Sequence, residues 1–218
     1  MPQNTDFKVI VNKGFIMEAQ RTAHIERNTK ETQIDLSLNI DGQANYEIST
    51  GVPFFDHMLD LLAKHALFDL NIKATGDIDV DYHHLVEDVG IVLGEALNEA
   101  LGDRKGINRY GFWVLPMDEA QAQAEVCLDL GGRPFFVYNM EHDQKYIRDF
   151  DVIIIKHFWR SFCDSAKMNL HIELKYGEDL HHCIEAIFKS VARALRMACG
   201  SDPRALDMIP SSKGKIGA

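Results

Sequence analysis

One pattern occurs twice in this 218-residue chain, about 100 residues apart, and that constrains the fold more than any other feature. His57 lies fifteen residues before Ile72, inside Leu70-Asn71-Ile72, and His157 lies fifteen before Ile172, inside Leu170-His171-Ile172. Gly76 and Gly177 follow these segments. His83-His84-Leu85-Val86-Glu87 is then matched by His181-His182-Cys183-Ile184-Glu185, and both run on into Ala-Leu, at Ala96-Leu97 and Ala194-Leu195. Residues 34–42 alternate polar and apolar as residues 124–132 do. The period is too long for a solenoid and points to duplication of a small α/β unit. The chain divides into a variable extension (1–17), a first repeat (18–107) and a second repeat (108–218), expected to form one compact domain.

Each half reads strand, strand, helix, strand, helix. Residues 33–40 alternate as a half-buried strand does, and Asp41-Gly42 marks a turn. Residues 54–66 carry Phe55, Met58, Leu59 and Leu62 at helical spacing. Residues 85–101 carry a second apolar stripe, closed by Gly102-Asp103. The same reading places helices at 152–166 and 182–198. Two sheets with four helices between or beside them is the expected architecture.

Four of the ten histidines sit in the two HHxxE motifs. On a helix, i and i+4 share a face while i and i+1 diverge by about 100°. His83 with Glu87, and His181 with Glu185, can each grip one metal, whereas His84 and His182 point elsewhere. Two metal ions solve this arrangement, with His57 and His157 as the matched extra histidines. Pseudo-symmetry groups His83, Glu87, His182 and His157 at one ion, and His181, Glu185, His84 and His57 at the other. Imidazole and carboxylate together suit Mn, Fe, Zn or Co better than Ca or Mg. A di-iron bundle uses Glu-x-x-His spacing and a zincin HExxH, and neither spacing is present. His24, His142 and His171 read as surface or strand histidines. His65, two helical turns after His57, falls on the same face as that residue.

Composition removes other classes. A net charge of -10 and a pI near 5.4 argue against a general nucleic-acid surface, while leaving room for a local phosphate site. No apolar run approaches the ~20 residues of a membrane span. The N-terminus lacks a basic start followed by an apolar block. Cys127, Cys163, Cys183 and Cys199 form no CxxC pair and read as reduced, mostly buried thiols of a cytoplasmic protein.

Six segments together resemble the signatures of the imidazoleglycerol-phosphate dehydratase family. They are Arg27-Asn28-Thr29-Lys30-Glu31-Thr32, Phe54-Phe55-Asp56-His57-Met58-Leu59 and Asp81-Tyr82 leading into the first HHxxED. The others are Gly106-Ile107-Asn108-Arg109-Tyr110-Gly111, the second HHxxEA and Pro210-Ser211-Ser212-Lys213-Gly214. The resemblance runs in order from about Arg21 to Gly214, and residues 143–151 do not align within it.

The resemblance implies an α+β fold of two duplicated halves, with two four-stranded sheets and a four-helix layer, like domain 2 of ribosomal protein S5. It implies dehydration of imidazoleglycerol phosphate to imidazole acetol phosphate in histidine biosynthesis, through an imidazolate held by two Mn²⁺ ions per active site. It assigns acid–base duties to Glu31, Glu87 and Glu185, with Glu31 the candidate base. His65, Arg109, Arg133, Lys189, Ser211, Ser212 and Lys213 join Glu31 in binding substrate. Asp118-Glu119 is a further candidate for orienting an arginine or a ligand. It also implies self-association of twenty-four copies, built from trimers, with no nucleic acid or membrane partner. The same residues leave two alternative readings: a dinuclear metallohydrolase of a phosphate ester, and a metal-binding structural assembly.

Overall fold

The computed structural model describes residues 20–117 and 122–217. The first half runs β1 (Thr22–Asn28), β2 (Thr32–Asn39), β3 (Tyr46–Ser49), α1 (Pro53–Ala66), β4 (Asp69–Gly76) and α2 (His83–Leu101). The second runs β5 (Tyr110–Met117), β6 (Ala122–Asp129), β7 (Phe135–Asn139), β8 (Tyr146–Ile147), β9 (Phe150–Asp151), α3 (Ile153–Ala166), β10 (Asn169–Tyr176) and α4 (Leu180–Cys199). Sheet one has the order β1-β2-β4-β3 and sheet two β5-β6-β10-β7. Among the described residues the α+β architecture is therefore two four-stranded sheets, a two-stranded ribbon of β8 and β9, and four helices.

Four strands escaped the periodicity reading, the edge strands β3 and β7 and the short β8 and β9. β3 and β7 pair parallel to β4 and β10 at the sheet edge. They are short, and neither shows the strict in–out alternation seen along β2. Residues 143–151 contain the β8–β9 ribbon, which has no counterpart in the first half.

Along β2, Thr32, Ile34, Leu36 and Leu38 turn inward while Gln33 and Asp35 face out, so a single face of the sheet is dry. The helices cover that face. α2 lies on β1 and β2, and α4 lies on β5 and β6. The helical layers then meet crosswise: α1 packs on α4, and α2 on α3. Phe55, Phe158, Trp159, Phe162 and Phe188 fill the centre, with Phe55 edge-on to Phe158 at 5.3 Å. Each such burial contributes about 1.5–3 kcal/mol.

α2 and α3 approach closely because Gly90 and Gly94 lie one turn apart on the contact face. A Cβ on Gly90 would sit 2.7 Å from the Phe158 carbonyl oxygen, and one on Gly94 2.6 Å from that of Phe162. An aspartate stands at the start of both HHxxE helices: Asp179 caps α4, accepting the His182 N–H at 2.9 Å, and Asp81, one residue before the Tyr82 N-cap of α2, accepts the His83 N–H at 2.7 Å. Each HH pair is thereby held in the first turn of its helix.

Candidate metal centre and active site

Crosswise helix packing brings the lone histidine of each half to the HHxxE helix of the other. His57 Nε2 on α1 lies 2.8 Å from Glu185 Oε1 on α4, and His181 Nε2 lies 3.2 Å from the same oxygen. Their three donor atoms fall within 4.8 Å of one another. Lys189, one turn further along α4, reaches Glu185 Oε2 at 2.7 Å. Burial pushes the Glu185 carboxyl up, but Lys189, His57 and His181 outweigh it and hold the pKa at about 2. The carboxylate stays charged and available as a ligand.

The second group is looser. His83 Nε2 lies 2.9 Å from Glu87 Oε2, and the His83 and His157 ring centres are 4.7 Å apart. Ser161 of α3 donates to Glu87 Oε1 at 3.2 Å. Glu87 is 40% exposed at its side chain, against 9% for Glu185. The sequence grouping placed His182 and His84 crosswise at these two centres. Among the described residues, neither joins a three-donor group within the chain. His84 Nδ1 instead pairs with Asp77 at 3.0 Å, which raises its pKa. His182 Nδ1 is buried with no hydrogen-bond partner. The other three-donor group, His24, Glu26 and Asp35, lies fully exposed on the outer face of sheet one.

Glu31, read from the sequence against the alternative of a strand charge, occupies the turn between β1 and β2. Its side chain is 57% exposed, and its Oε2 lies 4.0 Å from His84 Nδ1. Arg109, Arg133, Ser211, Ser212 and Lys213 line one cavity of about 490 Å³, together with Lys215. Arg109 is fixed there by two bonds to Asp129, at 2.7 and 3.0 Å, and by the Pro210 carbonyl at 2.8 Å. Lys189 lines the metal group rather than this cavity. His65 goes with Lys189: burial, Lys189 and Arg193 push its pKa down.

A model of the family "Imidazoleglycerol-phosphate dehydratase" matches residues 50–195, which contain both HHxxE motifs and both lone histidines. This chain belongs to the imidazoleglycerol-phosphate dehydratase family. An imidazoleglycerol-phosphate dehydratase of Citrifermentans bemidjiense is 55% identical over 196 residues, covering 90% of this chain and 99% of the relative. One from Pelobacter propionicus is 54% identical with the same coverage. The crystal structure of the Staphylococcus aureus dehydratase superposes with a TM-score of 0.75 at 38% identity, covering 83% of this chain and 99% of that one. The Pyrococcus furiosus dehydratase, solved in complex with (S)-C348, gives 0.74 at 33% identity, covering 88% and 100%.

Several side chains packed against these clusters carried no sequence signal of their own. Asp77 and Ser161 are ordinary polar residues until the fold sets them on His84 and Glu87. Phe150 stacks on Tyr82, the residue before His83, and touches Phe54, whose ring is edge-on to His181. Asp118 and Glu119 lie outside the described residues.

Proposed function

We propose that this dehydratase converts imidazoleglycerol phosphate to imidazole acetol phosphate in histidine biosynthesis, with two Mn²⁺ ions in each active site. The convergence of His57, His181 and Glu185 carries the reading. Two imidazoles and a charged carboxylate form a donor set that fits a divalent transition ion. The orphaned Nδ1 of His182 belongs to one more imidazole at the same end of α4. His57, His181 and Glu185 would hold one ion, and His83, Glu87 and His157 the other. His84 and His182 are left to complete sites on neighbouring subunits of a large homo-oligomer, for which twenty-four copies is the expectation. When bound, such ions would supply Lewis-acid polarisation that lowers the N–H pKa of the substrate's imidazole, the electron source needed for loss of the hydroxyl.

The chain's own groups do the rest. Glu31 is exposed enough to meet substrate and takes the proton from the carbon next to the departing hydroxyl. Glu87 shares the acid–base duties beside His83, while Glu185, kept charged by Lys189, His57 and His181, serves as a ligand. Arg109, Arg133, Ser211, Ser212 and Lys213 offer the phosphate cations and hydroxyl donors. Four free thiols, three of them buried, fit a reducing cytoplasm.

The deciding experiment incubates Mn²⁺-loaded protein with imidazoleglycerol phosphate. The ketone product is expected. Release of inorganic phosphate instead points to a metallohydrolase, and metal binding without turnover points to a structural assembly.

A further inference from the structure

A buried carboxylate that neither metal group uses lies beneath Glu31. Asp88 follows Glu87 on α2, so it projects about 100° away from the ligand face. It is 9% exposed. Its Oδ2 lies 2.5 Å from Thr32 Oγ1, and its Oδ1 lies 3.1 Å from Arg27 Nη2. An ionised carboxylate only accepts, so the Thr32 hydroxyl must donate to it. That choice fixes the next one. Thr32 Oγ1, having given its proton to Asp88, can only accept from Thr29 Oγ1 at 3.1 Å, the shorter of the two contacts open to the Thr29 hydroxyl, the other being the Thr32 carbonyl at 3.4 Å. The Thr29 oxygen is then left to accept the backbone N–H groups of Glu31, at 3.1 Å, and Thr32, at 2.9 Å. On the other side, the Glu31 carbonyl accepts the Asp77 N–H at 3.1 Å, and the Asp77 carboxylate holds His84. Both peptide groups of Glu31 are thus tied, one of them through a hydroxyl relay that starts at Asp88.

We propose that Asp88 is a positioning residue for Glu31: through Thr32 and Thr29 it locks the β1–β2 turn and aims the Glu31 carboxylate at the first turn of α2. One helix therefore carries metal ligands on one face and the anchor of the base on another, which fixes the spacing between them. This rests on the reading of Glu31 as the base. A purely structural Asp88, serving only as counter-ion to Arg27, predicts loss of stability without any special link to Glu31.

The test compares full-length Mn²⁺-loaded variants for kcat, KM, bound metal and melting temperature. Asp88→Asn keeps the shape but sets an amide N–H against either Thr32 or Arg27. Thr32→Val removes the hydroxyl, and Thr32→Ser restores it. Asp88→Asn and Thr32→Val are each expected to lower kcat roughly 10- to 100-fold, the penalty of a misaimed group, with KM and bound metal changed by less than about twofold. Thr32→Ser recovers most of the rate that Thr32→Val loses. Glu31→Gln lowers kcat by roughly 10²–10⁴, and adding Asp88→Asn to it costs less than about twofold more, because the group being aimed is already gone. Full multiplicative loss in that double variant overturns the positioning role while leaving Glu31 as the base. Parental kcat in Glu31→Gln alone overturns the base assignment and the proposal with it. Should Asp88→Asn fail to fold, the Thr32 pair decides alone: equal rates for valine and serine overturn the relay.

Discussion

Gly90→Ala sets two effects against each other, and the close approach of α2 and α3 says which wins. In an open helix the change stabilises by about 1 kcal/mol, because alanine is the better helix former. At this position the new Cβ meets the Phe158 carbonyl oxygen at 2.7 Å and the Phe158 ring at 3.2 Å. A carbonyl in a helix cannot rotate away, so the two helices must part by roughly 0.5–1 Å to reach ordinary contact. Overpacking of that kind costs about 1–3 kcal/mol, and a backbone clash belongs at the upper end. The net expectation is a loss of about 2 kcal/mol, or a fall of about 4–8 °C in melting temperature for a chain of this size. Thermal denaturation is measured on metal-free protein, so that metal linkage does not mask the difference. Parting the helices also moves His157 and Ser161 away from His83 and Glu87, while the α1–α4 contact that unites His57 with Glu185 is untouched. Metal analysis of the loaded variant therefore shows weakened binding at one site of two. A raised melting temperature with full metal content refutes the argument, since propensity would then have outweighed contact.

Glu185→Gln and His181→Ala remove donors from the tighter group, and both are expected to lower bound Mn²⁺ per chain as read by elemental analysis. Unchanged occupancy in both cancels the ligand assignment. Arg109→Ala and Lys213→Ala weaken substrate binding by roughly one to two powers of ten, the cost of a charge-assisted hydrogen bond, with metal content preserved. Equal affinity for substrate in parent and both variants removes the cavity at Ser211–Lys213 from phosphate recognition. Chelated protein is expected to sediment as a smaller species that Mn²⁺ drives to the large assembly. An identical size distribution with and without metal counts against ligands shared between subunits.

The helices were legible because their signals are local. The apolar stripes gave 54–66 and 85–101, against Pro53–Ala66 and His83–Leu101 in the fold. Side-chain bonds that the stripes do not report set the starts: Asp179 caps α4 through the His182 N–H, and Asp81, just ahead of α2, accepts the His83 N–H. β3 and β7 were missed because a short parallel edge strand is specified by its neighbour, not by its own alternation. Matched spacing paired His57 with the second HHxxE and His157 with the first. Only the fold supplies the cause, which is the packing of α1 on α4 and α2 on α3. The link from Asp88 to Thr32 spans 56 positions and had no sequence signature. The resemblance implied that Lys189 binds substrate, and the fold adds a contact the sequence did not carry: one helical turn sets its ammonium on Glu185.

The crossed pairing of helices says something about how such a chain arises. Neither half owns a complete set of donors: each lends its single histidine to the other. On the metal reading proposed above, a half-length chain with this geometry would hold an ion only when two copies met, with an occupancy set by their concentration. Joining them end to end made that encounter intramolecular and fixed the effective concentration of one half around the other. Fusion also freed the two copies from having to stay alike. The asymmetry now visible records that freedom, with an ammonium behind Glu185 and a hydroxyl behind Glu87. The two donor clusters are therefore electrostatically distinct, a cation backing one carboxylate and a neutral hydroxyl the other.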